Sequence, residues 1–73
     1  TDFTFTVPRG DYEKALKLIN DGVREKLGAG SVIGDAKVSK VSVVGVGMRS
    51  HVGIASQMFR TLSEEGINIQ MIS

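Results

Sequence analysis

The chain has 73 residues, no cysteine, and nine Lys plus Arg against eight Asp plus Glu, for a net charge of +1. That length holds one small domain expected to bury roughly 60% of the surface its unfolded form exposes, so help from a partner chain is plausible. Scattered basic residues from Arg9 to Arg60 give no electrostatic footprint for nucleic acid or membrane. The lack of cysteine removes disulfides, thiolate metal sites and Cys nucleophiles, and fits a reducing, cytoplasmic setting. No apolar run approaches the ~20 residues needed to span a bilayer, and the polar opening TDFTFTVPRGDYEK carries no signal-peptide pattern.

Phe3, Phe5 and Val7 alternate with Thr4 and Thr6, which predicts a strand with one apolar face, ended by Pro8 and Gly10. From Asp11, the residues Tyr12, Ala15, Leu16, Ile19, Val23 and Leu27 recur at helical spacing. Asp11 is the expected N-cap, with Lys14 where a capping box would want Glu, and Gly28 the expected C-terminal cap. Gly22 should weaken the middle of this helix. A second strand is expected within Ser31 to Val38, with Gly34 and Asp35 as the point of interruption.

The third strand, Val41 to Val46, is apolar on both sides at Val41, Val43, Val44 and Val46, which predicts a central strand with its second face covered. A second helix from about Val52 to Glu65 should bury Ile54, Ala55, Met58, Phe59 and Leu62, with Gly66 as its cap. The last strand, Ile67 to Ile72, should send Ile67, Ile69 and Met71 one way and Asn68, Gln70 and Ile72 the other. The order strand, helix, strand, strand, helix, strand is that of an α+β, ferredoxin-like βαββαβ sandwich, two helices on one face of a four-stranded antiparallel sheet.

The turn Met48 to Gly53 leads into a helix N-terminus, where amides and the helix dipole favour an anion. The carboxylate of a small ligand would lie near the amides of Gly53, Ile54 and Ala55. Asn68 and Gln70 could accept from an ammonium or reach a polar side chain, and Met48 would form an adaptable wall. Other readings of these residues are bland. Gly45 and Gly47 lack the third glycine of a dinucleotide loop, since Ser50 stands there. Ser50 reads as an N-cap, and His51 as a turn residue with no acidic or Cys neighbour to make a metal site or triad. Glu64 and Glu65 are adjacent on a helix and point apart, as solvated surface. Phe3 and Phe5 could stack bases, but core packing is the better account.

The segment VGVGMRSHVGIASQMFRTLSEEGINIQMIS resembles the second ACT domain of aspartate kinases, whose pattern is a strand ending VGxGM, an SHPG-type loop, an alanine-containing helix and GINIxMIST. TDFTFTVPRGDYEKALKLI resembles the third strand and second helix of the first ACT domain in the same enzymes. The resemblance implies that residues 1–38 are the back half of one ACT domain and 39–73 the front half of the next, joined as in a circular permutation. It implies a regulatory role in feedback control by lysine- or threonine-class effectors, ACT-to-ACT association through the sheet, and a kinase domain as partner. Met48, Ser50, His51, Gly53, Ile54, Ala55, Asn68, Ile69 and Gln70 carry over as effector-contacting positions. Val52 stands where the family has proline, restoring a backbone donor and removing a residue preset for the first helical turn. The resembled enzymes transfer the γ-phosphoryl group of ATP to aspartate, but no phosphate-binding loop or magnesium-binding acid set is present, so neither catalysis nor a cofactor is expected of this chain. The competing readings are a structural piece that folds or dimerises without a ligand, and a stand-alone nucleic-acid-binding ferredoxin-like domain.

Overall fold

A computed structural model describes residues 2–28, 30–45, 47 and 51–72. In chain order it contains β1 (Phe3–Thr6), a 3-10 turn (Arg9–Asp11), α1 (Tyr12–Leu18), a π-helical segment (Ile19–Val23), α2 (Arg24–Leu27), β2 (Ser31–Asp35), β3 (Lys40–Val44), α3 (His51–Ser63) and β4 (Met71–Ile72). The strands form one antiparallel sheet in the order β2-β3-β1-β4. This is the ferredoxin-like arrangement, with the helices on one face.

The period of two in β1 sets the layers. Phe3, Phe5 and Val7 are buried while Thr4 and Thr6 are half-buried on the opposite face. Phe5 lies opposite Val41 and Phe3 opposite Val43, so directly paired apolar side chains share the helix face. Ala15 and Ile19 from the first helical stretch and Ile54, Met58 and Leu62 from α3 close over them, with Ile67 completing the cluster. Each fully buried Val, Leu, Ile, Phe or Met contributes about 1.5–3 kcal/mol relative to exposure. Because Phe3 and Phe5 are 4% and 1% exposed on the inner face, they are closed to base stacking.

Several local expectations are corrected. Asp11 occupies the N-cap position of α1, yet its side chain makes no capping bond. The 3-10 turn that precedes it uses the Asp11 N–H, which donates to the Pro8 carbonyl, and holds Asp11 in a helical rather than an extended conformation. Gly22 falls in the π segment, where Arg24 N–H reaches back five residues to the Ile19 carbonyl. β2 runs unbroken through Gly34 and Asp35 and stops there, its turn tied by Lys37 N–H to Asp35 Oδ1. Phe59 is 43% exposed, because Ile54, Met58 and Leu62 at four-residue steps already fill the inward stripe of α3.

The end of α3 follows its expected cap closely. Ile67 N–H donates to the Leu62 carbonyl and Gly66 N–H to that of Ser63, with Gly66 at φ +73, a Schellman arrangement. Ile67 and Leu62, both buried, supply its apolar contact. Gly28 likewise takes a positive φ after α2.

The last strand is shorter than its pattern. Among the described residues, Met71 and Ile72 pair with β1, at Thr6 and Phe5 respectively. Gln70 N–H also donates to the Thr6 carbonyl, so two residues of the outer segment address one of β1, an offset of the kind a bulge makes. The alternation of 67–70 therefore does not run through. Ile72 stands opposite inward-facing Phe5, and Met71 opposite outward-facing Thr6, the reverse of the sequence expectation.

The second face of the sheet is open. Thr4 Oγ1 and Ser42 Oγ meet across β1 and β3 at 3.1 Å, and Val44 and Ile33 flank them at the surface. Val44 is thus on this face and Ile72 on the other, and Val46 lies outside the described residues.

Two contacts yield predictions. A Cβ at Gly34 would collide with the Tyr12 hydroxyl and sit 3.0 Å from Leu16 Cδ2. Gly34→Ala should cost about 1–3 kcal/mol, and the cost should shrink in a Tyr12→Phe background; urea denaturation of the four-variant cycle measures the coupling. Ser39 is the single non-glycine residue at positive φ among those described, at +50. Replacing it by glycine relieves a strain of about 1–2 kcal/mol against the greater unfolded-state freedom of glycine, so Ser39→Gly should raise the urea midpoint with an unchanged slope.

Candidate functional site

The ledge expected from the sequence begins where β3 ends. Gly30 N–H donates to the Val44 carbonyl at 2.9 Å, and Gly45 N–H to Asp2 Oδ1 at 3.4 Å, which fasten the β3 exit to its neighbours before the chain turns toward α3. Met48 and Ser50 lie outside the described residues, and so do the wall and N-cap roles expected of them. His51 opens α3.

Within the first turns of α3 the residues divide. Val52 and Gly53 are exposed, Ile54 is fully buried, and Ala55 is half-buried against the core. The Ile54 side chain is therefore core, and only its backbone can face a ligand. In an α-helix opening at His51, the Ala55 N–H is directed to the carbonyl four residues back.

On the neighbouring segment, Ile69 packs against the core while Asn68 and Gln70 are exposed. The Gln70 amide is held by Thr6 at 2.8 Å, which leaves its side chain projecting from a fixed backbone. Asn68 and Gln70 are thus exposed, as the alternation of 67–70 requires, and Ile69 is half-buried against the core. Ile54 and Ile67 share the core cluster, which seats the two segments on the same hydrophobic support.

Among the described residues, three surface depressions lie elsewhere. One, of about 460 Å³, lies on the open face of the sheet between Thr4, Ile33, Lys40, Ser42 and Val44. A second, of about 470 Å³, is framed by Tyr12, Leu16, Lys17, Asn20 and Val32. The third, of about 380 Å³ and mostly apolar, runs between the helices from Leu18 and Gly22 to Thr61. The sequence signal for the first is the outward pair Thr4 and Ser42; the second includes the bare Gly34 backbone, which no periodicity marks.

The remaining polar groups are ordinary surface. Glu65 pairs with Lys14 at 3.2 Å, both well exposed, a contact worth about 0.2–1 kcal/mol. No cluster of three or more metal-ligating side chains occurs among the described residues. No described helix is long and apolar enough to cross a membrane.

The ACT domain family model matches residues 41–73, which run from β3 through α3 to β4. All 73 residues align at 63% identity with an aspartate kinase of Pseudomonas putida, at 59% with one of Stutzerimonas stutzeri, and at 38% with an aspartokinase of Mycolicibacterium smegmatis. The chain spans 18%, 18% and 17% of the length of these three relatives. No solved structure matches it.

The second half of the chain is similar to ACT domain sequence and is set in a ferredoxin-like fold. Over its whole length the chain is homologous to part of the aspartate kinases.

One substitution tests the helix start directly. Val52 is 77% exposed in the first turn of α3, where proline is tolerated and its fixed φ is suited. Val52→Pro should stabilise the domain by about 0.4–1 kcal/mol through the unfolded state, seen as a raised midpoint in chemical denaturation with an unchanged far-ultraviolet circular dichroism spectrum.

Proposed function

We propose that this chain is the amino-acid-sensing part of a cytoplasmic aspartate kinase, binding a lysine- or threonine-class effector at the start of α3 and restraining a kinase domain carried elsewhere. The observation that carries this reading is the unbroken 63% identity with an aspartate kinase, together with the ACT match that begins at β3. The ligand's carboxylate is assigned to the first turn of α3, and its ammonium or side chain to Asn68 and Gln70. Met48, Ser50 and His51 are assigned to the loop between, while Ile54, Ala55 and Ile69 contribute backbone and support. The role is binding; phosphoryl transfer belongs to the kinase domain. Effector occupancy would act by linkage, favouring whichever ACT pairing binds it better.

In this reading residues 1–38 are half of one ACT unit and 39–73 half of the next. What supports it is the interleaving of the two parts in one sheet, since β1 pairs with both β3 and β4. Self-association is assigned to the β4 edge, where Met71 and Ile72 are 70% and 47% exposed, both are apolar, and neither carries the charge that edge strands use against pairing.

A second reading, a folded unit that binds no ligand, is favoured by the core packing of Ile54 and Ile69, two of the nine assigned residues. An amide-resolved NMR titration with lysine and then threonine separates the two. Saturable shifts at Val52 to Ala55 and Asn68 to Gln70 are the expected result, and a dispersed spectrum indifferent to both amino acids would leave the ligand-free reading standing.

The edge assignment has its own test. Light scattering on Met71→Lys should show a monomer at concentrations where the unsubstituted chain is dimeric. A folded variant that keeps the dimer mass would move the contact to another surface.

A further inference from the structure

No further inference is drawn: the strongest candidate, the depression on the open face of the sheet between Thr4, Ile33, Lys40 and Val44, is an unpartnered surface, and nothing in the structure shows what covers it.

Discussion

The strand β1 is the constraint on which the rest of the domain depends. It lies between β3 and β4, and its alternating side chains decide which face of the sheet the helices can cover. Phe3, Phe5 and Val7 supply the inner row, and the rings of Phe3 and Phe5 stand 6.5 Å apart on that face. A slip of one residue would bring Thr4 and Thr6 under the helices and expose both rings, so the register with Val41 and Val43 is strongly specified. The backbone of β1 is engaged on both edges. Val7 donates to Ser39, and the Thr6 carbonyl accepts from Gln70, so the strand fastens the β2–β3 hairpin on one side and the outer segment on the other.

Wherever periodicity was long and one face was buried, the sequence carried the answer. The layers, the element order, the central position of β3 and the inward stripe of Ile54, Met58 and Leu62 all follow from such patterns. The cap at Gly66 was equally legible, because a positive φ and a buried Ile67 coincide there. Failures cluster where a local contact competes with a pattern. Asp11 has the right chemistry for a cap, but the preceding 3-10 turn fixes it in the wrong backbone region. Phe59 satisfies helical spacing on paper, yet the stripe beside it is already full. Met71 and Ile72 trade faces because Thr6 is addressed twice, and alternation read from side chains alone does not register a backbone offset.

The candidate site was legible to a lesser degree, for a related reason. Asn68 and Gln70 are outward-facing as read, but Ile54 and Ile69 are apolar residues whose side chains the core claims. Resemblance marks positions near a ligand without separating those that touch it from those that hold the backbone in place. The structure shows an exposed amide pair on one segment, a helix start on the other, and Ile54 buried and Ile69 half-buried against the core. Four valines in the third strand predict a cover for the second face, where Val44 is paired with Ser31 beside the Thr4–Ser42 hydroxyl contact.

The pairing of Phe5 with Ile72 joins nearly opposite ends of the chain. Loop-closure entropy rises only slowly with length, so the contact is thermodynamically accessible, but long-range pairings of this type are slow to form. During synthesis from the N-terminus, β1 can acquire β3 as soon as the hairpin emerges, whereas its other edge must wait for residues 70–72. For that interval a half-finished sheet presents the open hydrogen-bonding edge of β1. The vulnerable species for this domain is therefore a nascent intermediate, and its exposure is timed by translation rather than by the stability of the finished fold.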